Sequence, residues 1–464
     1  MTETEVKTQK TALIMVLINA LATPMMLSAA NVALPSIARE LGIHAVMLSW
    51  IPMAYLMASA MFVLIFGRLA DMFGRKRIFV MGTTSVVLTS FLAAYSVNGE
   101  MLIVARFLQG VSAAMLYATQ IAIVSSVFPP AKRGHAIGMT VAMIYLGLTC
   151  GPIIGGYLID NFGWRSSFIF HVPLSFIVLY YALFKVEGDW HSESRGKFDI
   201  NGSIIYSMSI LLLCVGVSTL PDNLSYIAIL CGIVGMVIFF NLSHRIENPI
   251  FDVRLFFTNR VFTLSCLASL IMYTATYANV VLIGLYLQYL KDISATNAGL
   301  FMMIQPLTMA IFSSFIGKLS DRVEPRIIAS SGMSVTIVGL IMLAFMDGQS
   351  NYHYLIAALI ITGLGFSLFS SPNANAIMSA VEKRFYGTAA GSIATMRVLG
   401  QMSSMILVTL MFALVIGQVE IKPENYPALQ TAIHYCFTIS ALLCLPGILL
   451  SLARGSIHND NHAG

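Results

Sequence analysis

The chain has 464 residues, of which 58% are hydrophobic and only 10% are charged, whereas a soluble domain carries roughly 25% charged residues. With 26 basic and 21 acidic residues, it has too little polar surface to cover a water-soluble globule. These values set aside soluble enzymes, nucleic-acid-binding proteins and disulfide scaffolds, and they predict a polytopic membrane protein.

Long runs without a charged residue mark the predicted membrane-spanning helices. A span needs about 20 apolar residues, and a helix satisfies its own backbone hydrogen bonds in lipid. Two apolar segments, about 101–127 and 385–419, contain one arginine each, Arg106 and Arg397. The charge-free runs are 11–38, 41–67, 78–99, 134–159, 166–184, 200–221, 223–244, 261–290, 293–317, 327–346, 348–381 and 425–453. Together these segments predict fourteen spans, of which 166–184 is the shortest.

Basic residues are distributed unevenly between the two sides of the predicted bundle. With the N-terminus in the cytoplasm, the inner segments hold 20 Lys and Arg residues, and the outer loops hold four. This asymmetry follows the positive-inside rule and predicts that both termini are cytoplasmic. The first apolar run is much longer than a secretory signal core of about 7–15 residues, so we interpret it as a retained span.

The sequence lacks the patterns of an enzyme or an ATP-driven pump. It contains no deep His/Asp/Glu or Ser/His/Asp constellation and no Walker-type phosphate loop. All six cysteines fall within predicted spans without metal-ligand or redox spacing, which favours packing roles. We therefore expect no catalytic residue, no metal and no cofactor, and a sensor function has no soluble domain to support it.

Two pairs of similar segments indicate an internal repeat. GRLAD at 67–71 follows the second span, and GKLSD at 317–321 follows the tenth span, 250 residues later. A basic pair followed by G-x-A-x-G opens both the fifth and the thirteenth span. Because both pairs are displaced by eight spans, we predict six-helix bundles at 1–184 and 261–464, with two linker helices in 185–260. In transporters with parallel halves of this kind, the site lies near the midplane between them.

The loop after the second span carries a glycine-rich, charged motif. It reads G-x-x-x-D-x-x-G-R-K-R and starts at Gly67. This spacing resembles the signature loop of the major facilitator superfamily, and the resemblance covers the whole chain. In that family the loop gates the change between inward-facing and outward-facing states, which implies conformational roles. The residues concerned are Gly67, Asp71, Gly74, Arg75 and, in the repeated loop, Asp321; Met72 stands where the family usually has arginine.

The fourth span contains an arginine within its apolar run. Arg106, Gln109 and Gly110 match the R-x-x-Q-G element of the same superfamily. An arginine inside a membrane costs at least about 2.5–3.5 kcal/mol, so we expect it to face a partner or a wet cavity. The alternative is that Arg106 snorkels to the surface, because it lies only six residues after Glu100.

The fifth span carries a pattern of small residues that is typical of exporters. Gly147, Gly151 and Gly155 line one helical face and allow close helix approach, while Pro152 bends the helix. With Gly156, they complete G-x-x-x-G-P-x-x-G-G, which closely resembles the antiporter motif of exporters in the superfamily. Importers generally lack this motif, so the resemblance implies export.

Other stretches narrow the resemblance to one family. They are NVALP at 31–35, Trp50 with Tyr55, GWR at 163–165, FDING at 198–202 and RVLG at 397–400. On these residues and its fourteen spans, the chain is identified as a member of the fourteen-helix drug:proton antiporter family (the EmrB/QacA type). The resemblance implies an all-α polytopic membrane protein with the major facilitator fold, two six-helix bundles and two inserted helices. It also implies a bacterial-type inner membrane and a proton gradient as energy source.

The first span departs from this family at a position that matters for coupling. The family normally reads L-D-x-T-I-V-N-V-A-L-P there, and the place of its aspartate holds Met26. All 21 acidic residues lie in termini, loops or span ends, with Glu100 and Asp160 nearest to membrane depth. Proton relays and cation recognition usually require a buried carboxylate, and none is expected here.

The remaining deep polar side chains are the candidates for the substrate pathway or for coupling. They are Met26, Asn31, Tyr55, Arg106, Gln109, Tyr117, Asn279, Gln305, Asn373 and Arg397. We interpret His171 and His434, near the outer ends of spans, as satisfied interfacial histidines; the alternative is a titrating group that replaces the missing aspartate. Because the deep charges are positive, we expect a preference shifted from lipophilic cations toward neutral or anionic compounds.

The sequence thus predicts a secondary active, multidrug-type exporter of small organic molecules that works by alternating access, with proton antiport implied by the family. Two alternatives stay open. One is a dedicated exporter of an endogenous metabolite, such as a siderophore or another anionic compound, and the other is a weakly coupled facilitator. The expected partners are a small-molecule substrate and the lipid bilayer, without nucleic acid. The protein is expected to act either with a periplasmic adaptor or as a monomer.

Overall fold

The protein is a bundle of long helices. In a computed structural model the described residues are 3–190, 198–246, 249–320, 322–382 and 386–455, and they contain no β-strand. Fourteen of their helices are long and apolar enough to cross a membrane, which confirms the predicted number. The first seven are α1 (Lys7–Val32), α2 (Ala45–Phe73), α3 (Arg75–Ala94), α4 (Gly99–Val127), α5 (Lys132–Phe162), α6 (Ser166–Phe184) and α7 (Ile200–Ser218). The last seven are α8 (Asn223–Arg245), α9 (Arg260–Leu290), α10 (Ala295–Ser313), α11 (Pro325–Ala344), α12 (Tyr352–Ser379), α13 (Thr388–Ile416) and α14 (Pro423–Ala453).

Polar caps set the beginning of several spans. The side chains of Asn98, Asp199, Asn259 and Ser294 each accept a hydrogen bond from the backbone N–H three residues further on. These bonds satisfy donors that have no partner inside the helix. The caps lie at the N-terminal ends of α4, α7, α9 and α10, where the sequence changes from polar to apolar. At these four helices, the span starts read from the charge pattern agree with the observed helix starts to within two residues.

Consecutive spans run in opposite directions, so the bundle has two ends. We call the end at which α1 begins the terminal end, and the opposite end, at which α2 begins, the distal end. The inserted helices α7 and α8 pack on each other, and α7 also packs against α2 and α13. The Tyr206 hydroxyl on α7 donates a 3.1 Å hydrogen bond to the carbonyl of Ala60 on α2. The inserted pair is thus attached to α2 of the first six spans and to α13 of the last six.

Helix packing repeats along the chain at the spacing seen in the sequence. The helices of α2 and α3 begin at residues 45 and 75, and those of α10 and α11 begin 250 residues later. On α4, Gly110 has no room for a side chain, because an added Cβ would lie 2.2 Å from the Tyr55 carbonyl oxygen on α2. On α12, Gly363 is in the same relation to the Gln305 carbonyl oxygen on α10, at 2.8 Å. Tyr55 and Gln305 are also 250 residues apart, so corresponding helices use corresponding contacts.

Candidate functional site

The antiporter-like glycines of α5 form one face that packs tightly against α1. An added Cβ on Gly147 would lie 2.4 Å from the carbonyl oxygen of Leu21, and one on Gly151 would lie 2.7 Å from that of Met25. An added Cβ on Gly155 would lie 2.6 Å from the side chain of an alanine one turn further along α1. No larger residue fits these positions without moving backbone, so α1 and α5 are joined along about two turns.

A second face of α5 crosses α10 near the distal end. An added Cβ on Gly156 would lie 2.3 Å from the carbonyl oxygen of Ala295, and one on Gly299 of α10 would lie 2.1 Å from the carbonyl oxygen of Pro152. Because α5 belongs to the first six spans and α10 to the last six, these contacts link the two predicted halves. The predicted gating residues of α5 therefore lie where α5 contacts both α1 of its own half and α10 of the second half.

Asp160 adds polar contacts between the halves at the same end. One carboxylate oxygen, Oδ1, accepts a 3.2 Å hydrogen bond from the Ala295 backbone N–H at the start of α10. The other, Oδ2, accepts a 2.8 Å bond from the Thr296 backbone N–H and a 2.5 Å bond from its hydroxyl. A carboxylate is well placed there, because a helix N-terminus carries free N–H groups and a partial positive charge.

Further bonds between the halves also lie at the distal end. The Arg39 guanidinium donates a 3.1 Å hydrogen bond to the Gln288 carbonyl, and the Gln288 side chain donates a 3.0 Å bond to the Val32 carbonyl. The Ala45 backbone N–H donates a 2.9 Å bond to the Val419 carbonyl in the loop before α14. The distal end is therefore closed by several independent contacts.

At the terminal end, the same helix faces make no corresponding contacts among the described residues. Gly138 precedes Gly156 by 18 residues, about five turns, so both lie on one face of α5. Gly391 precedes Thr409 on α13 by the same interval, and the Thr409 hydroxyl contacts the Met53 sulfur on α2 at 3.3 Å. A Cβ added at Gly138 or Gly391 would meet no atom of another described helix within 4 Å. The crossing helices thus meet at the distal end and separate toward the terminal end.

The signature loop between α2 and α3 contacts the first half and the segment that directly follows it, and none of its observed contacts among the described residues reaches the second half. The Arg75 Nε and Nη2 atoms donate to Asp71 Oδ1 at 3.0 and 2.7 Å, and Nη1 donates to the Ala122 carbonyl at 3.1 Å. Gly74 has a φ of +109°, and an added Cβ would lie 2.1 Å from an Asp189 carboxylate oxygen. Gly67, before this turn, has open space around an added Cβ. The predicted counterpart Asp321 lies outside the described residues.

Arg106 lies inside the first half rather than at its surface. Its side chain is fully buried, and its Nη1 donates a 2.5 Å hydrogen bond to the Gln109 side-chain oxygen. The guanidinium lies over the Tyr55 ring at 4.5 Å from the centroid and over the Phe168 ring at 5.8 Å. Its Nη2 has no hydrogen-bond partner. The charge is held mainly by aromatic faces and one amide, without a carboxylate in an ion pair among the described residues.

Met26 lies beside this arginine, at the place where the family has aspartate. It is fully buried, and its sulfur accepts a 3.2 Å hydrogen bond from the Gln109 Nε2 atom. The same nitrogen donates to the Ser90 hydroxyl at 2.9 Å, and that hydroxyl lies 3.3 Å from His171 Nε2. The other ring nitrogen of buried His171, Nδ1, has no hydrogen-bond partner among the described residues.

Between the halves, near the middle of the spans, aromatic and basic side chains come together. The Tyr55 and Tyr117 hydroxyls are 3.0 Å apart, and the Arg397 guanidinium lies 5.6 Å from the Tyr117 ring centroid. Tyr277 on α9 lies in the same region, near Arg106 and Tyr117. Tyr273 and Tyr277 are not among the site residues predicted from the sequence. Their i, i+4 spacing, which puts both rings on one face of α9, was the available signal.

The other predicted pathway residues are distributed over several environments. Asn31 is buried, and the Asn279 side chain donates a 3.4 Å hydrogen bond to Gln305. Asn373 lies within the second half, where its Oδ1 accepts a 2.6 Å bond from Arg454. Burial lowers the pKa of the Arg454 guanidinium to about 10, so this arginine is charged at neutral pH. The structure therefore brings Asn279 and Gln305 together and places Asn373 in a separate network.

Comparison with known proteins decides the family. The sequence model of the Major Facilitator Superfamily matches residues 16–405. The chain belongs to this superfamily. Its fourteen spans fit the fourteen-helix type, and its relatives are transporters rather than enzymes. The crystal structure of the peptide transporter POT in complex with sulfate has the same fold. The two structures superpose with a TM-score of 0.68 at 15% sequence identity, and the match covers 94% of each chain.

Two curated relatives match this superfamily member over most of its length. The riboflavin transporter RibZ of Clostridioides difficile (strain 630) is 30% identical over 425 residues, which are 91% of this chain and 92% of RibZ. The multidrug resistance protein Stp of Mycobacterium tuberculosis (strain CDC 1551 / Oshkosh) is 30% identical over 376 residues, which are 80% of this chain and 70% of Stp. The protein is therefore a multi-pass membrane transporter of the major facilitator superfamily.

Proposed function

We propose that this transporter is a secondary active exporter of small organic molecules in a bacterial plasma membrane. The antiporter-like motif of α5 and the similarity to Stp support export. The basic residues concentrated at the terminal end support a cytoplasmic location for that end. In this orientation the structure is closed to the outside and open to the cytoplasm, which is the state that would load a substrate for export.

The observation that carries this proposal is the pair of packed faces on α5. The face with Gly147 and Gly151 joins α5 to α1, and the face with Pro152 and Gly156 crosses α10 at the closed end. A helix that is fixed to its own half and only crosses the other can rock with its half as one body. We propose the predicted bundles, 1–184 and 261–464, as the two bodies that exchange the closed end for the open one.

The proposed energy source is the proton gradient, as in the family that the chain resembles. The buried Met26 leaves the Arg106 network without the family's carboxylate, so coupling would differ from the usual arrangement. A weakly coupled facilitator is the second candidate, favoured by this missing group. A dedicated exporter of an endogenous anionic metabolite is a further candidate, since the deep charges are positive.

Accumulation in inside-out membrane vesicles tests this function. Vesicles that contain the chain would be given an acidic interior and offered ethidium, carboxyfluorescein or riboflavin, which are cationic, anionic and neutral. Secondary active export predicts accumulation of at least one probe above its external concentration, with loss of accumulation after addition of a protonophore. Vesicles without the chain are the control. Protein-dependent equilibration that ignores the gradient would support the facilitator, and no protein-dependent movement of any probe would contradict the proposal.

A further inference from the structure

Five side chains between the two halves form a group to which the proposed alternating access assigns no role. We call Tyr117, Tyr145, Tyr273, Tyr277 and Arg397 the tyrosine–arginine site. The first two lie on α4 and α5, and the other three lie on α9 and α13, so each half contributes. All five are half-buried, which leaves part of each side chain accessible between the halves.

Arg397 carries a positive charge that its surroundings do not neutralise. Among the described residues no hydrogen bond or ion pair holds its side chain, and the guanidinium carbon lies 5.6 Å from the centroid of the Tyr117 ring. No acidic residue of the sequence lies deep within a span. A guanidinium in this setting has five N–H donors in a planar fork that matches an acidic oxygen pair. Its free donors make an anion the complementary ligand.

Arg106, the other arginine within a span, is not available in the same way. It is fully buried behind the Tyr55 and Phe168 rings and uses one donor on Gln109. Arg397 is half-buried and makes no such bond. A ligand between the halves would therefore meet Arg397 first.

The tyrosines supply flat apolar walls with polar edges. The Tyr273 ring packs edge-on against Phe366, with centroids 5.4 Å apart, which fixes its orientation. Tyr145 of the first half packs against the same cluster of the second half. Among the described residues the buried Tyr277 hydroxyl makes no hydrogen bond of good geometry, although the Asn31 side chain lies near it. Rings held in this way can stack on a planar ligand, and a free phenol hydroxyl can donate to an acidic oxygen.

We propose that the tyrosine–arginine site binds an aromatic organic anion, with its carboxylate or sulfonate on Arg397 and its ring between the tyrosines. This inference rests on the proposed export function, for which it names the substrate class. A charge-assisted, bidentate bond to arginine supplies both strength and orientation. An organic cation would find like charge and no carboxylate. A neutral aromatic compound would keep the stacking and lose the ionic bond.

Binding to the purified protein in lipid nanodiscs tests the site separately from transport. The probes are carboxyfluorescein, riboflavin and ethidium, titrated by fluorescence. Carboxyfluorescein is expected to bind tightest, Arg397→Gln to weaken it about tenfold or more, and Arg397→Lys to weaken it less. Arg260→Gln, which removes an exposed arginine at the start of α9, and Tyr206→Phe, at a buried tyrosine of α7, are the matched controls. Both controls are expected to bind like the parent.

The outcomes separate this inference from the export function. Loss of carboxyfluorescein binding in Arg397→Gln, with an unchanged thermal unfolding temperature, would support the site even if no gradient-driven accumulation is found. Binding that Arg397→Gln and Arg397→Lys leave unchanged would overturn it, as would ethidium binding more tightly than carboxyfluorescein. Gradient-driven export of ethidium alone would overturn the aromatic-anion site and leave the export function standing. No binding of carboxyfluorescein at millimolar concentration would likewise overturn the site.

Discussion

Asp160 links α5 to α10 at the distal end, so its charge is expected to help hold that end closed. Its carboxylate accepts three hydrogen bonds from Ala295 and Thr296 of the other half. Asp160→Asn keeps the shape and one acceptor oxygen but removes the negative charge. Because the bonded groups lie at a helix N-terminus, the substitution removes two stabilising contributions. One is the charge-assisted part of the hydrogen bonds, and the other is the attraction between the carboxylate and the helix dipole.

The size of this effect follows from the exposure of the group. A hydrogen bond to a charged group contributes about 1.5–3 kcal/mol when buried, and a charge at a helix N-terminus contributes about 0.3–1 kcal/mol at the surface. Asp160 is exposed to solvent, which screens its interactions, and asparagine keeps part of the bonding. We therefore expect Asp160→Asn to cost the distal-closed state about 1–1.5 kcal/mol, which is about a five- to tenfold change in the ratio of the two states.

Labelling of a cysteine at position 295 measures this ratio. Ala295 is buried at the contact, so an Ala295→Cys thiol would react with a membrane-impermeant maleimide only when the distal end opens. In a chain with its native cysteines replaced, Asp160→Asn is expected to raise the labelling rate about five- to tenfold. Asp222→Asn, at an exposed carboxylate in the distal α7–α8 loop, is the matched control and is expected to change nothing. An equal rate in both variants would refute the role assigned to Asp160.

Three further changes test other parts of the structure. Gly299→Ala would place a methyl group 2.1 Å from a backbone oxygen of α5, so it is expected to raise the maleimide labelling rate of the cysteine at position 295. An unchanged labelling rate would count against the close crossing of α5 and α10. Met26→Asp would place a carboxylate beside Gln109, near Arg106. It is expected to make transport into vesicles more dependent on the pH gradient than Met26→Asn does, and matching pH profiles of the two variants would contradict this. Asn373→Ala would leave buried Arg454 short of a partner and is expected to lower stability by about 1.5–3 kcal/mol in thermal unfolding, with carboxyfluorescein affinity kept. A stable variant that loses affinity would instead place Asn373 in the pathway.

The helical architecture was predictable because charge and hydropathy directly report membrane burial. The run 223–244 agrees with the helix Asn223–Arg245 to within one residue, whereas the runs 11–38 and 41–67 end six residues from the observed helix ends. The 250-residue offset also appears in the paired contacts of Tyr55 with Gly110 and Gln305 with Gly363. The helical form of the spans follows from the requirement that every backbone group in lipid be satisfied within a helix.

The site was less predictable because it depends on which helices meet. Asn373 and Arg454 are 81 residues apart, and only the fold, in which a 2.6 Å hydrogen bond joins α12 to the end of α14, shows that they are partners. Tyr273 and Tyr277 looked like ordinary residues of an apolar span, and their position beside Arg397 and Tyr117 depends on contacts between halves. Met26 was recognised as a missing carboxylate, but its bond to Gln109 required the structure.

The most direct test of the central claim, that the two halves exchange a closed distal end for a closed terminal end, is a pair of distances measured by spin labelling. Labels at Gly138→Cys and Gly391→Cys report the terminal end, and labels at Asn161→Cys and Asn297→Cys report the distal end. During gradient-driven export, alternating access predicts a population in which the first distance shortens while the second lengthens. Distances that both stay constant, or that change in the same direction, under conditions that support transport would contradict the account.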